Sequence, residues 1–504
     1  MRINKNHILY ILLLILSIFL AFLSTTYDYD FFARIIVGEQ FIESGILPYK
    51  DFLSYTPTHN WYDHEWGSGV VFYAILKYFK PIGLLFLQAF LIFGTSIFIC
   101  KTQKLQKHAF PTSLLFMTSV LLIFAHINPN IIRCQMFSFF FFSVYLYLME
   151  KYKYKQTNLI WLIPVLTIIW NNLHGGVVSG LGIIFIYSIL AILEKKPWKN
   201  LVAMFAISCA TLIINPYGIK YLNFLFSATT KNREYINEWW SFLAKSHFSY
   251  YFSASFFIIT LLIILIYVSI KKHNINWTKL TICIVCSIQG LLHVKLLSLG
   301  LIATSALCYN ELIIFIKKLL PLMKKIEKCL YPIVISLVLI LPFLSPQIPR
   351  VNLQKFPFYE TEFLKINNIK GNAVVPFGYG SYITYKLYPN ILVYMDGRYE
   401  EVYYDKEFLA LRDFSLAEKG WKEFLKQYDT EIIMVEKYYD IYKILQQDSN
   451  WVNIFNGKLC GVFLKKDLAQ KEYIKPNLDK KYYQKNIFNN MGYFNVKNLH
   501  LDKN

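Results

Sequence analysis

Residues 28–66 read Asp28-Tyr29-Asp30, then Gly38, then Gly45-Ile46-Leu47-Pro48, Asp51, Ser54-Tyr55-Thr56, and finally Trp61-Tyr62-Asp63-His64-Glu65-Trp66. The stretch directly follows an apolar run, residues 8–23, that reads as a first membrane helix. It is itself too polar for hydrocarbon. Acids crowd both of its ends, Asp28 and Asp30 at one, Asp63 and Glu65 with His64 at the other. A short connector between two membrane helices needs no such groups. Carboxylates held where a bilayer meets water are costly to desolvate, so their presence marks a candidate site. The plainer reading is a solvated loop whose acids keep it on one side of the membrane.

Composition agrees with a membrane chain. Of 504 residues 55% are hydrophobic and 17% charged, and the mean hydropathy is +0.37. Apolar runs of roughly 17–22 residues recur, the length of a transmembrane helix rather than of a soluble core element. The net charge of +20 invites a nucleic-acid reading, but the lysines sit in short clusters between apolar runs, where they fix the orientation of a polytopic protein. The eight cysteines form no secreted disulfide framework. Cys283-Ile284-Val285-Cys286 has metal-ligand spacing, yet it is sunk in an apolar segment without a second pair.

Arg2 and Lys5 precede the first run and no small-x-small cleavage site follows it, so an uncleaved helix with a cytoplasmic N-terminus is expected. Residues 67–79 are too short to span and are read as a helix at the outer surface, ended by Pro81. Spans follow at 82–100, 111–125, 134–149, 159–170, 177–193, 201–214, 251–270, 280–292, 296–316 and 329–344. The total is about eleven spans, several only marginally long. Lysine clusters alternate with nearly bare turns, which places residues 28–66 and everything beyond Pro349 outside.

The expected fold is therefore mainly α, a polytopic membrane helix bundle at 1–345 whose outer loop at 25–66 carries the catalytic acids. A small extracytoplasmic α/β domain follows at 346–466, with a polar tail at 467–504. In the α/β part, strand-like runs at 372–376, 391–395 and 431–435 alternate with helical patterns at 379–387, 406–414, 419–427 and 439–446, the rhythm of a parallel sheet. Runs at 451–455 and 460–465 flank Asn456-Gly457 as a closing hairpin.

The two faces of this topology differ. Outer ends offer Asp28, Asp30, His64, Glu65, Arg133, Asn171, Asn172, His174, Asn215, Glu238, His293 and Lys295, whereas inner ends offer lysines and little else. Convergence of polar groups from many helices is how a site between helices is built. Asn172 and Asn215, before Gly and Pro turns, read as helix-end caps. A carboxylate here can serve as general base towards a hydroxyl or amine. Arg34, Arg133 or Lys295 can hold a phosphate whose lipid tail lies among the helices. Asp396-Gly397-Arg398 reads either as a ligand-reaching loop at a strand end or as a turn closed by an Asp–Arg ion pair.

Asp28-x-Asp30, Gly38, Gly45-x-x-Pro48-x-x-Asp51-x-x-Ser54, Trp61 and His64-Glu65-Trp66 together resemble the first outer loop of a large group of bacterial membrane proteins. Asn172-x-His174-Gly175-Gly176, Asn215-Pro216-Tyr217-Gly218, Glu238-Trp239 and Asp396-Gly397-Arg398 follow in the order found there, so the resemblance reaches to about residue 465. That group is similar to the C superfamily of glycosyltransferases, the class containing protein O-mannosyltransferases and lipid A aminoarabinose transferases. The resemblance implies a multi-pass protein of the cell (inner) membrane that takes a sugar from a polyprenyl-phosphate donor. It implies an inverting transfer to a lipid, glycan or protein acceptor of the envelope on the outer face. Asp30 matches the position of the base, with Asp28 second. Glu65 and His64 would orient the acceptor or a divalent metal, the one cofactor left open. Arg34, Arg133, His174, Glu238, His293, Lys295, Asp396 and Arg398 are the candidate substrate-binding residues. The competing readings are a transporter or flippase of lipid-linked glycans and a non-catalytic assembly protein for envelope polysaccharide.

Overall fold

The computed structural model describes residues 5–23, 26–106, 111–129, 132–231, 233–340 and 351–470. The end of the last expected span, the boundary at 345/346 and the tail beyond 470 lie outside the described residues. The chain forms two compact units, one built within Met1–Thr25 and Leu85–Gln347, the other within Thr26–Leu84 and Ile348–Asn504. A cut drawn on composition follows apolarity alone. Chain packing instead groups the polar stretch after the first helix with the C-terminal residues.

The first unit holds helices and no strand among its described residues. They are Lys5–Leu23, Leu114–Ile127, Gln135–Lys155, Ile163–Leu173, Val177–Leu193, Lys199–Thr211, Lys220–Thr230, Phe248–Lys271, Trp277–Leu292, Leu297–Leu307, Tyr309–Phe315 and Leu320–Ile340. Leucine, isoleucine and phenylalanine dominate them, the side chains that suit a hydrocarbon surrounding. The helix Trp66–Leu105 runs through both units, but Lys80 leaves helical geometry (φ 62°, ψ −177°) just before Pro81. The track thus breaks where the expected surface segment meets the expected span.

Trp66–Leu105 and Phe248–Lys271 are long and apolar enough to cross a bilayer. Val294–Leu307 with Tyr309–Phe315 makes a third if its 60° bend is taken within one span, so the continuous run expected at 296–316 is a broken one. Other apolar helices run 10–17 residues, roughly 15–26 Å against a hydrocarbon core of about 30 Å. Small residues let them approach. A Cβ on Gly290 would come 2.8 Å from the Leu297 Cα, and one on Gly180 2.5 Å from the Trp170 ring. The expectation of lysines and little else at the helix ends read as inner is corrected. Glu150, fully buried, accepts the Tyr187 hydroxyl at 2.5 Å, and Lys279 Nζ donates to Glu311 Oε1 at 2.8 Å and Gln106 Oε1 at 2.9 Å. Each carboxylate meets its donor from a helix distant in sequence, which is why the pairing did not show.

In the second unit the stretch taken for a loop folds at once into the helix Phe31–Ser44. Asp30 stands at its start, and Gly45, at a left-handed φ of 72°, ends it. This helix crosses the start of Trp66–Leu105 glycine to glycine. A Cβ on Gly38 would lie 2.1 Å from the Gly69 carbonyl oxygen, and one on Gly69 2.4 Å from that of Arg34. Phe32 packs on Phe356, Tyr382 and Tyr385, with ring centroids 5.0–5.7 Å apart.

Five strands form one sheet in the order β2-β1-β3-β5-β4: β1 Gly371–Val374, β2 Ile391–Val393, β3 Ile432–Glu436, β4 Trp451–Asn456 and β5 Cys460–Lys465. β1 is parallel to β2 and β3, while β5 runs antiparallel to β3 and to β4, so the hairpin makes the sheet mixed rather than parallel throughout. The helices Gly380–Leu387, Asp405–Ser415, Trp421–Gln427 and Asp440–Gln447 fall where the pattern put them, and Phe358–Ile366 is additional. Residues 50–60 lie along the β2 edge: Tyr55 N donates to Val393 O at 3.3 Å, and Thr56 Oγ1 to Tyr394 O at 2.7 Å.

Candidate functional site

Arg34 is the one cation on an otherwise apolar first half of its helix, and it is 3% exposed. Its Nη1 lies 2.5 Å from Asp63 Oδ1, its Nε 2.8 Å from Glu65 Oε2 and its Nη2 2.8 Å from Glu401 Oε1. His64 Nδ1 lies 2.8 Å from the same Glu401 oxygen. The Trp61 indole donates to Glu401 Oε2 at 2.8 Å, and the Glu65 amide to Asp63 Oδ1 at 2.7 Å. Burial pushes the Asp63 carboxyl up to about 7, although Arg34 opposes it. Burial also disfavours charge on His64, but Glu65 and Glu401 outweigh it and push the imidazole up to about 9. Glu401 is held down at about 2, because Arg34 and His64 overcome its own burial.

A second buried network adjoins this one through Trp61. Arg398 stacks over the Trp61 ring, 4.3 Å from guanidinium carbon to centroid. Its Nη1 lies 2.6 Å from Asp51 Oδ1 and its Nε 2.9 Å from Asp396 Oδ1, while Nη2 donates to the Tyr403 hydroxyl at 3.2 Å. Arg398 and Asp396 are 1% and 0% exposed. Asp396-Gly397-Arg398 thus follows a strand, as expected, with its charges paired inward. The reading of Arg34 as a phosphate clamp is corrected for the same reason, since all its nitrogens face carboxylates.

Asp30 is half-buried and makes no side-chain cap to its own helix. A Cβ on Gly397 would come 2.1 Å from Asp30 Oδ1 and 3.5 Å from Ser381 Oγ, so only glycine lets that carboxylate sit over this turn. The first acidic motif and Asp396-Gly397-Arg398, distant in sequence, are brought together here. Asp28 is buried and accepts the Tyr29 amide at 2.9 Å.

Asp63, His64 and Glu401 each offer a ligand atom within 4.8 Å of the others, the spacing a metal would use. Both carboxylates already face Arg34, and a dication would have to displace that guanidinium. With Arg34 in place, these three residues do not fit a divalent metal.

In the first unit Arg133 Nη2 lies 2.6 Å from Glu238 Oε1, and Lys295 Nζ 3.8 Å from Glu238 Oε2. Lys295 also stands over the Trp239 ring at 5.5 Å. Desolvation would raise the Glu238 carboxyl, but Arg133 and Lys295 hold it below its ordinary range. These three side chains line one pocket with Asn128, Gln135 and Ser298. His293 Nδ1 lies 2.7 Å from the Trp239 carbonyl, where it supports the loop rather than the pocket. His174 closes its own turn by accepting the Gly176 amide at Nδ1, 2.9 Å, and the same Nδ1 lies 2.6 Å from Ser138 Oγ on the helix Gln135–Lys155. Asp63 belonged to the acidic cluster expected at this end of the stretch but was given no role there, and Glu401 was not among the expected site residues. An arginine inside Phe31-Phe32-Ala33-Arg34-Ile35-Ile36-Val37 demands buried counter-charges, and that demand was the available signal.

The fold is similar to that of archaeal oligosaccharyltransferases. The chain is similar to the crystal structure of the Archaeoglobus fulgidus oligosaccharyltransferase in the apo form, with a TM-score of 0.56 over 86% of this chain and 70% of that one, at 10% identity. It is similar also to the archaeal oligosaccharyltransferase AglB from Archaeoglobus fulgidus in complex with an inhibitory peptide and a dolichol-phosphate, with a TM-score of 0.54 over 86% and 69%, at 10% identity. No family model matches the chain, and no curated protein matches it. At this identity the likeness is one of fold.

Proposed function

We propose that the chain is a membrane glycosyltransferase that moves a sugar from a polyprenyl-phosphate-linked donor to an envelope acceptor on the outer face. The observation that carries this reading is the fold shared with oligosaccharyltransferases over 86% of the chain, one of them solved with a dolichol-phosphate and an inhibitory peptide. In this reading Asp30 takes the proton of an acceptor hydroxyl or amine while the acceptor atom bonds to the anomeric carbon. The polyprenyl phosphate leaves from the opposite side, so the configuration inverts. Asp28 shapes the backbone beside it. Within the first unit, Arg133 and Lys295, set by Glu238, offer the cations that suit a lipid phosphate. Arg34 with Asp63, His64, Glu65 and Glu401, and Arg398 with Asp51 and Asp396, form the rigid bed under the acids.

The same reading keeps about eleven spans with the N-terminus cytoplasmic. One parity argument supports it. Residues 26–84 and the described residues from 351 share a compact unit, which requires an even number of crossings between them. Membranes containing the protein should consume a radiolabelled polyprenyl-phosphate sugar, and Arg133→Ala should raise the donor KM. Failure of the wild-type protein to consume any lipid-linked sugar would remove the proposal.

A further inference from the structure

The second unit contains a cavity of about 240 Å³ that no step above uses, lined by Lys365, Asn368, Lys386, Tyr388, Asn390 and apolar residues. It holds roughly eight waters' worth of volume, the scale of one sugar unit. Lys365 and Lys386 end the helices Phe358–Ile366 and Gly380–Leu387. The free carbonyls there favour cations, which accounts for lysine at both ends but gives neither ammonium a counter-ion. Neither makes an ion pair or hydrogen bond with a described residue. Glu362, buried on the helix that carries Lys365, acts on Lys386 without reaching ion-pair distance. Two ammoniums therefore face the cavity against one carboxylate. Asn368 and Asn390 stand 3.5 Å apart across amide groups, and Tyr388 adds a ring wall, the polar-plus-aromatic lining that suits a sugar.

We infer that this cavity binds a sugar unit bearing a carboxylate or a phosphate. Lys365 and Lys386 pair with the anionic group, and the asparagines take the hydroxyls. Burial holds the Lys386 ammonium below its ordinary range, and an anion beside it would act in the opposite direction. The inference rests on the second unit alone and stands whether or not Asp30 catalyses transfer.

The test is saturation-transfer NMR on the detergent-solubilised full chain with glucuronate, glucose 6-phosphate and glucose as probes. Both anionic sugars are expected to give signal and to be displaced by inorganic phosphate, while glucose gives none. Comparing their dissociation constants tells which anion the site prefers. Lys386→Gln and the exposed Lys365→Gln should each weaken binding about tenfold, and Asp30→Asn should leave it unchanged. Equal signal from glucose, no signal from any probe, or unaltered binding in both lysine variants with intact thermal unfolding would overturn the inference.

Discussion

At the scale of single residues the second unit turns on Arg34, whose charge answers three buried carboxylates. Arg34→Ala leaves Asp63, Glu65 and Glu401 buried without their cation, and loss of one partner of such a network typically costs about 3–5 kcal/mol. Thermal unfolding should show a large fall in stability. Wild-type stability in that variant would mean the network holds nothing. Because the guanidinium takes the place of a metal, a chelator should leave the same unfolding curve unmoved. The network also titrates. His64 is raised to about 9 from an unfolded value of about 6.5. Its contribution is complete below about pH 6.5 and is lost as pH rises through 9. Asp63, raised to about 7, acts in the same direction at lower pH, since its folded form keeps a proton that the unfolded chain has given up. Stability should therefore decline from about pH 4 to 9, and His64→Gln should flatten the upper part of that decline. An upper limb equally steep in the variant would assign it to another group.

At the scale of elements the crossing of Phe31–Ser44 over the start of Trp66–Leu105 is set by Gly38 and Gly69. Gly38→Ala puts a methyl 2.1 Å from a backbone oxygen, so the helices must part. Overpacking of this kind costs about 1–3 kcal/mol, read by denaturant unfolding, and it should also slow transfer by moving Asp30. No change in either would deny the close crossing a role. The helix itself was legible in principle. Asp30 before it and Gly45 after it are start and stop signals, but the acids around them drew the reading towards a loop. Strands β1 to β5 were legible almost to the residue, because Val and Ile runs bounded by Gly, Asn and Asp have few other solutions. Helix lengths in the first unit were legible only coarsely, since apolar residues continue through bends such as the one at Cys308. Glu401 with His64, and Asp51 with Arg398, were illegible because each pair is joined by tertiary contact across several hundred residues.

At the scale of the whole molecule, residues 26–84 and the sheet form one unit, so both must lie on the same side of the membrane. Cysteines placed at exposed Asn60 and Asn456 should both react with an impermeant reagent in intact cells. Protection of both until lysis would invert the orientation, and opposite outcomes would contradict the compact unit itself. Transfer itself turns on the half-buried Asp30 carboxylate over Gly397. The most direct measurement is the rate of sugar transfer from a polyprenyl-phosphate donor by Asp30→Asn, with donor retention and thermal unfolding recorded alongside. The amide keeps the size of the carboxylate but takes no proton, so transfer should fall about 10²–10⁴-fold while donor binding and stability hold. Transfer near the wild-type rate, in a protein that retains donor equally well, would contradict the assignment of Asp30 as the base.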